Sequence, residues 1–217
     1  MKILKYITLF FIFSSIVLFG FEYSRVASAE KKTNRIKQVY LNSNALSLDT
    51  IPGEWIEILL KIEDPNFYSH DGIDVSTPGA GLTTITQGLT KFMYFEKFRP
   101  GFAKLEQSLI AKFVVDKHFS KEEQLEVLFN HAYLGHFQGQ KIIGFSNASR
   151  TYFGKSFSEL TKNEYISLVA MLIGPNGVHI IKKPEENRLR VHRIEQVLAG
   201  KYKPKSVTDI QYSANGA

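Results

Sequence analysis

The stretch IEDPNFYSHDGI, residues Ile62 to Ile73, decides how the rest of this sequence is interpreted. Upstream of it, apolar residues recur at helical spacing, and Glu63 occupies the next position on the same face. Because Asp64 precedes a proline, the helix has to end there. A carboxylate that points where core side chains point is desolvated, and desolvation raises its pKa toward the value that a general acid or base needs. The apolar members of that face are Ile56, Leu59 and Leu60.

Structural roles compete with the catalytic one in this stretch. Periodicity by itself favours Glu63 as the partner of a Lys or Arg in an ion pair, or as the cap of a neighbouring helix. Phe67 and Tyr68 are typical of a core, and a lone His70 is typical of a structural hydrogen bond. No spacing of His or carboxylate residues here makes a convincing metal site. The residues alone leave the choice open.

The composition is that of one globular domain. The chain has 217 residues, of which 44% are hydrophobic and 13% aromatic, and its net charge is +6. That charge is compatible with nucleic acid, an anionic membrane surface or a phosphorylated substrate. The sequence contains no Cys, so neither disulfides nor thiolate-metal sites hold this body together.

The N-terminus is typical of an export signal or a membrane anchor. Lys2 and Lys5 precede an almost uninterrupted apolar run that ends at Phe21. Ala27-Ser28-Ala29 favours cleavage, whereas the apolar run approaches the roughly 20 residues that span a bilayer. Both alternatives place the body outside the cytoplasm, in a bacterial cell envelope, either anchored at the outer face of the cytoplasmic membrane or periplasmic. Nucleic acid is therefore not an expected partner.

Four segments follow from the composition along the chain. Residues 1–29 are the signal peptide or anchor, and the polar, lysine-rich residues 30–50 are interpreted as a linker. Residues 51–201 form the domain, and residues 202–217 form a C-terminal tail.

The patterns within the domain predict a mainly α fold. Helices are expected after Pro52, over Ala103 to Lys117 with Leu105, Leu109, Ile110, Phe113 and Val114 inward, and from Pro184 onward. A short hairpin is expected around residues 141–143 and 178–181. Capping-box spacing marks three further helix starts, at Thr84 with Gln87, Ser120 with Glu123, and Thr161 with Glu164.

A second informative stretch begins at Gly79-Ala-Gly81. It leads to a helix start near Thr83 and Thr84, where N–H groups, hydroxyls and the positive end of the helix dipole suit an anion such as a diphosphate. Gln87 and Lys91 lie four residues apart and extend the same face. The pattern is not a P-loop. Taken alone, an ordinary capped helix explains these residues better.

The next stretch, KFMYFEKFRPGF from Lys91 to Phe102, mixes aromatic and basic residues. Such a mixture suits a membrane interface, although packing of the aromatics on their own domain is equally compatible. Export together with a phosphate site favours the membrane.

Together these residues resemble the peptidoglycan glycosyltransferase (transglycosylase) domain of class A penicillin-binding proteins and monofunctional transglycosylases. The family's first motif, E-D-x-x-F-x-x-H-x-G, is matched in full, and its G-x-S-T-I-T-Q-Q motif is matched in most positions. The resemblance continues through SKEEQLEVLFNHAYLG with Asn130 in place, through a Tyr-Phe-Gly-Lys segment and a closing R-R-x-x-V-L that begins at Arg193. The first two motifs are matched by Glu63, Asp64, Phe67, His70 and Gly72, and by Gly81, Thr84, Ile85, Thr86, Gln87 and Lys91.

The chain departs from the family at several positions. Thr83 replaces Ser, Gly88 replaces the second Gln and Phe92 replaces an Asn. The third family motif, R-K-x-x-E-x-x-x-A, carries a second functional Glu, whose place here falls on Gln107 or Ser108. Glu106 is the nearest carboxylate, and Lys104 stands in for one of the paired cations.

The resemblance implies a lysozyme-like fold with a membrane-facing lobe and the polymerisation of lipid II into glycan strands. Glu63 is then the general base for the acceptor 4-hydroxyl, and Glu106 the second catalytic carboxylate. A divalent cation, Mg²⁺ or Mn²⁺, is the cofactor that the family would use. Other proteins of cell-wall synthesis are its expected partners. The residues implied to bind substrate are Asp64, His70, Thr83, Thr84, Gln87, Lys91, Lys104 and Asn130.

Two other functions compete with polymerisation. The missing Glu of the third motif favours a degenerate domain that binds lipid II or glycan as a scaffold in wall synthesis. Hydrolysis of glycan on a lysozyme-like frame ranks last, because the lysine of the second motif would have no diphosphate to hold.

Overall fold

The computed structural model describes residues 2–42 and 45–213. Helices account for 61% of the residues and strands for 4%, which confirms the mainly α class. The α-helices are α1 Lys2–Leu41, α2 Gly53–Glu63, α3 Ile85–Tyr94, α4 Phe102–Ile110, α5 Asp116–His118, α6 Lys121–His131, α7 Phe145–Phe153, α8 Lys162–Met171 and α9 Pro184–Leu198. The strands are β1 Tyr133–Phe137 and β2 Gln140–Ile143, and short 3₁₀ turns cover Leu48–Thr50 and Phe157–Glu159.

Helix α1 is one continuous helix of 40 residues. Its apolar part contains an 18-residue window of mean hydropathy 2.0, so its length and composition suffice to cross a membrane. A signal sequence can meet the same criteria of length and composition. The Ala27–Ala29 site lies inside this helix, and Ala29 is buried.

The prediction of a linker is wrong for residues 30–41, because α1 continues through them and packs on the body. A stripe at helical spacing faces α4 and α6. The hydroxyls of Thr33 and Tyr94 lie 2.9 Å apart, and the Tyr40 hydroxyl donates to the Phe92 carbonyl at 3.2 Å. Small and polar residues on the buried stripe hid its periodicity. The stripe consists of Glu22, Val26, Ala29, Thr33, Ile36 and Tyr40.

The core on the other side of the domain forms where α2 meets α8 and α9. Leu59 of α2 has no exposed surface. Trp55 stacks on Tyr165 of α8 with ring centroids 4.4 Å apart, and the Tyr165 hydroxyl donates to the Trp55 carbonyl at 2.7 Å. These contacts fix the orientation of α2 and therefore the position of its last residue, Glu63.

All three predicted capping boxes are confirmed. In each, the N-cap side chain accepts from the backbone N–H three residues on, and the Gln or Glu there accepts from the N-cap N–H. They begin α3 at Thr84, α6 at Ser120 and α8 at Thr161.

The helix predicted over Ala103 to Lys117 is interrupted. A π-helical segment at Ala111–Val115 separates α4 from α5. Ile110 and Val114 are buried as predicted, but Leu105 and Phe113 are exposed, so the prediction that they face inward is wrong. The buried face of α4 carries Gln107 against α3, which turns Leu105 outward.

The predicted hairpin forms with a different partner. β2 pairs antiparallel with β1, and residues 178–181 form no strand. Gln138 and Gly139 both have positive φ, as a tight two-residue hairpin turn requires. That turn makes the local pairing accessible, whereas the expected strand lies far along the chain.

The C-terminal residues that the structure describes are part of the domain, so the prediction of a tail is wrong for residues 202–213. Gly79 N–H donates to the Ser206 carbonyl and Gly81 N–H to the Val207 carbonyl, both at 2.9 Å. Tyr212 is only 4% exposed. Residues 214–217 lie outside the described residues.

Replacing Leu59 by Ala is expected to lower the free energy of unfolding by about 2–5 kcal/mol, since it opens a cavity in the core beneath Glu63. Urea unfolding in detergent measures this change. Glu57→Ala, an exposed change on the same helix, is the control and should stay within about 0.5 kcal/mol of the parent. Equal midpoints for the two variants would contradict the burial of Leu59 in this core.

Candidate functional site

A cleft of about 440 Å³ opens at the C-terminal end of α2. Residues of the 79–85 loop and of α3 line it, together with Arg190 of α9 and with Ile210 and Tyr212 of the C-terminal segment. Glu63, Thr83, Thr84 and Lys91 all line it. The structure therefore brings together residues from the first and second stretches that the sequence analysis singled out.

Glu63 is the last residue of α2 and its side chain reaches the cleft. Within the described ranges, no group donates a hydrogen bond to its carboxylate and no cation pairs with it within 4.0 Å. Burial raises the pKa of Glu63 from its ordinary 4.5 to about 7; Arg190 opposes this rise and Asp64 adds to it. A carboxyl group in this state can take up or release a proton near neutral pH.

Asp64 and His70 lie behind the cleft wall and hold it together. His70 Nδ1 accepts from the Gly72 N–H, so its Nε2–H donates to the Asp64 carboxylate at 3.0 Å. The other Asp64 oxygen accepts from the Ile85 N–H at 2.9 Å. Asp64 is 1% exposed. The predicted substrate-binding residues Asp64 and His70 thus join the end of α2 to the start of α3.

Thr84 and Gln87 are also occupied by the protein. The Thr84 hydroxyl accepts from the Gln87 N–H and donates to the Gly72 carbonyl, and the Gln87 amide donates to Ser108 Oγ at 2.8 Å. With the Ile85 N–H on Asp64, the start of α3 has few free donors for an anion. The sequence interpretation as an ordinary capped helix describes these residues, although Thr84 also lines the cleft.

The cationic side of the cleft is built from side chains. Lys104 Nζ donates to Thr83 Oγ1 at 2.8 Å, and Lys91 lines the cleft with its ammonium 5.2 Å from the Phe98 ring centroid. Burial, and then the charge of Lys91, lower the pKa of Lys104. Two neighbouring ammonium groups and a hydroxyl are a donor set that can bind a phosphate or diphosphate.

Gly88 widens the same cleft. It stands where the family motif has a second Gln, and a Cβ built there meets no atom within 4 Å. Phe92, which stands where the family has an Asn, packs on Tyr40 with ring centroids 5.8 Å apart. The departures at these two positions enlarge the cleft and attach α1.

Glu106 does not reach the cleft. Its carboxylate pairs with Arg25 of α1 at 2.7 Å and is 13% exposed. Gln107 donates to the Gln87 carbonyl at 2.6 Å, and Ser108 accepts from the Gln87 side chain. No carboxylate therefore occupies either position expected for the second Glu, and the placement of Glu106 argues against a catalytic role.

Asn130 is also away from the cleft. Its side-chain oxygen accepts from the Leu46 N–H at 2.9 Å, while its amide donates to the carbonyls of Leu46 and Glu126. These bonds fasten the segment between α1 and α2 to α6. The prediction that Asn130 binds substrate is not supported by this placement.

Sequence reasoning missed Arg190, Ile210 and Tyr212, which line the cleft. A signal for Arg190 was present, because it shares a helical stripe of α9 with the buried Ile194 and Val197. The same anomaly, a charge on an apolar face, singled out Glu63. No comparable signal marks Tyr212, whose contacts come from the fold.

The donor set does not fit a resident divalent cation. Among residues 2–42 and 45–213, no group of three or more His, Cys, Asp or Glu could hold a metal ion. The lining of the cleft carries the ammonium group of Lys91, the guanidinium of Arg190 and the carboxylate of Glu63, and Lys104 bonds to the lining residue Thr83. No step is therefore assigned to a protein-held metal.

The aromatic and basic stretch packs mainly on its own domain. Met93 is buried, and Phe92, Tyr94 and Phe95 pack against the core. Phe102, in contrast, is exposed. Other exposed apolar side chains near the cleft and on α4 and its π-helical continuation are Leu82, Leu105 and Phe113.

Comparison with known proteins points to one family. The family described as Transglycosylase matches residues 30–199. Penicillin-binding protein 1B of Vibrio cholerae is 34% identical over 67% of this chain and 20% of its own length, and its namesake in Escherichia coli is 31% identical over 67% and 19%. A protein of Cupriavidus necator named as a candidate transglycosylase is 32% identical over 68% of each chain.

The chain thus spans about a fifth of the length of the penicillin-binding proteins that it matches. The match begins within α1, so it includes Thr33, Ile36 and Tyr40 of the stripe that packs on the body. Since the match covers most of the chain and a relative of similar length is also matched, this protein belongs to the transglycosylase family.

Proposed function

We propose that this protein polymerises lipid II into glycan strands, with Glu63 as the general base. The observation that supports this proposal best is the position of Glu63 in one cleft with Thr83 and Lys91. A partly desolvated base and a phosphate-binding wall are the two elements that transfer from a lipid diphosphate requires.

In the proposed reaction, the Glu63 carboxylate removes the proton from the 4-hydroxyl of the acceptor sugar. The acceptor oxygen forms a bond to the anomeric carbon of the donor, and the bond from that carbon to the diphosphate oxygen breaks. The lipid diphosphate leaves with the electron pair of the broken bond. The proton stays on Glu63 until solvent or the next substrate takes it away.

Negative charge develops on the departing diphosphate, and fixed cations lower the barrier by stabilising that charge. Lys91 and Lys104 would supply the positive charge that stabilises the diphosphate. Thr83, which accepts a hydrogen bond from Lys104, adds a hydroxyl that lines the cleft. Because the N–H groups of Ile85 and Gln87 already bond to protein groups, the lysine and threonine side chains would stabilise the diphosphate more than the start of α3 does.

We propose further that the body works at the outer face of the cytoplasmic membrane, with α1 as its anchor. Ala29 and Thr33 are buried against the body, so the helix and the body form one packed unit. Exposed Phe102, Leu105 and Phe113 give α4 and its continuation an apolar outer face next to α1. Lipid II, the nascent strand and other wall-synthesis proteins are the proposed partners.

Glu63→Gln is expected to reduce polymer formation by roughly a hundredfold or more, because an amide cannot accept the acceptor proton. Polymer made from labelled lipid II by the full-length protein in detergent measures the rate. Circular dichroism checks that the variant is folded. A folded variant that polymerises at the parent rate would refute the assignment of the base.

The raised pKa of Glu63 predicts two opposite pH dependences. Polymerisation should rise with pH and level off above about 7, as the base form fills. Stability should change the other way, because the unfolded carboxyl releases its proton near 4.5 and the folded one only near 7. The contribution of neutral Glu63 to stability is therefore complete at low pH and is lost as pH rises through about 7.

Thermal unfolding of the parent and of Glu63→Gln between about pH 5 and about pH 8 tests the second dependence. The parent should lose stability relative to the variant across this range. A constant difference between their melting temperatures would show that Glu63 titrates with an ordinary pKa.

A binding protein without catalysis is the competing function, and one observation favours it. Neither Gln107 nor Ser108 supplies the second carboxylate, and Glu106 is paired with Arg25. A chain of this kind would bind lipid II through Lys91 and Lys104 without polymerising it. Retained binding of lipid II without polymer from the parent protein would establish this alternative.

Glu106→Gln separates the two roles of that carboxylate. We expect the rate of polymerisation to stay within about twofold of the parent, because the Glu106 carboxylate pairs with Arg25 and does not line the cleft. The same lipid II assay measures it, with Arg25→Gln as the matched change on the other side of the pair. A loss comparable to that of Glu63→Gln would show that Glu106 takes part in the chemistry.

A further inference from the structure

Arg190 is a buried cation that faces the cleft from α9. It is 4% exposed, and its Nη1 donates to the Ile210 carbonyl. Its guanidinium carbon lies 4.5 Å from the ring centroid of Tyr212. In the described part of the chain its Nε has no hydrogen-bond partner. A guanidinium with a free buried donor is costly unless a negative group shares its surroundings.

Glu63 is that negative group. Arg190 and Glu63 line the same cleft and act on each other electrostatically. The other titratable groups that act on Glu63 are Asp64, Tyr165 and Tyr212. Asp64 is engaged by His70, and the two tyrosines are neutral at neutral pH. Arg190 therefore supplies the positive charge that favours the ionised form of Glu63.

Tyr212 ties together the two backbone segments that flank the cleft. Its hydroxyl lies 2.9 Å from the carbonyl oxygen of Ile62 and 3.2 Å from that of Gly79, as a donor shared between them. Ile62 directly precedes Glu63. The residue is 4% exposed, so these bonds are screened from water.

The loop is shaped to receive the C-terminal segment. Gly79 has φ +81°, and a Cβ there would lie 2.6 Å from Pro204 and 3.1 Å from the Tyr212 ring. At Gly81, with φ +75°, a Cβ would lie 3.2 Å from Ile210. Glycines at these two places let the segment approach the loop closely.

We propose that Arg190 and Tyr212 are positioning residues for Glu63, so that residues 202–213 form part of the reaction site. Tyr212 holds the end of α2 against the 79–81 loop, and Arg190 stabilises the carboxylate that accepts the proton. This inference rests on the proposed function for its kinetic part only. Arg190 lies outside the closing family motif, which begins at Arg193.

The test uses the full-length protein in detergent, with two independent measurements. Carbon-13 NMR of labelled glutamate follows the titration of Glu63, whose signal is identified by its absence in Glu63→Gln. Polymerisation of lipid II as a function of pH gives the kinetic midpoint. Arg188→Gln is the matched control, because it removes one exposed arginine from the same helix.

Arg190→Gln should raise both midpoints by about one pH unit, since it removes the cation that favours the carboxylate. Arg190→Lys should restore most of the shift, and Arg188→Gln should leave both midpoints unchanged. Unchanged midpoints in a folded Arg190→Gln would overturn the role of Arg190. Without any polymer from the parent, the proposed function fails, yet the NMR titration still decides this point.

Tyr212→Phe keeps the ring beneath Arg190 and removes only the hydroxyl. We expect kcat to fall about tenfold with little change in KM, because the base is displaced while the diphosphate wall is intact. Its pH midpoint should follow the parent. A folded Tyr212→Phe with the kcat of the parent would overturn the role of Tyr212.

Should Arg190→Gln fail to fold, Arg190→Met, matched in length but uncharged, replaces it in both the NMR titration and the pH dependence of polymerisation.

Discussion

The buried carboxylate of Asp64 is the constraint on which the rest of the site depends. It accepts from His70 and from the first N–H of α3, so the end of α2 and the start of α3 cannot move apart without leaving a charge unsatisfied. Gly72 completes the joint, because the π-helical turn at Ala111 leaves no room for a side chain there. Glu63 and Thr83 share a cleft because this joint holds their two segments together.

The residues around the cleft divide into two groups with different tasks. The polar groups of Asp64, His70 and Gln87 hydrogen-bond to other groups of the protein, and these bonds form a rigid frame. The Glu63 carboxylate accepts no hydrogen bond from the described residues, and burial raises its pKa. In this chain, Asp64, His70 and Gln87 of the two matched motifs hold the frame, whereas Glu63 lines the cleft.

Much of this could be predicted from the sequence, since caps and apolar stripes act locally. The starts of α3, α6 and α8 and the inward direction of Glu63 belong to that group. The helical course of residues 30–41 was missed because Ala29 and Thr33 bury small surfaces that carry no hydropathy signal. The place of Tyr212 depends on contacts with residues more than a hundred positions away, which no local pattern encodes.

Helix α1 passes without a break from its apolar half into the packed body. At 1.5 Å per residue, the stretch from Phe21 to Leu41 extends about 30 Å along the flank of the domain. In the proposed anchored arrangement, α1 and the body form one packed unit, so the cleft would keep a fixed angle to the anchor. A change in bilayer thickness that tilts the anchor would then tilt the mouth of the cleft by the same angle. Bilayer thickness would in that arrangement influence how the proposed lipid-borne substrate approaches Glu63.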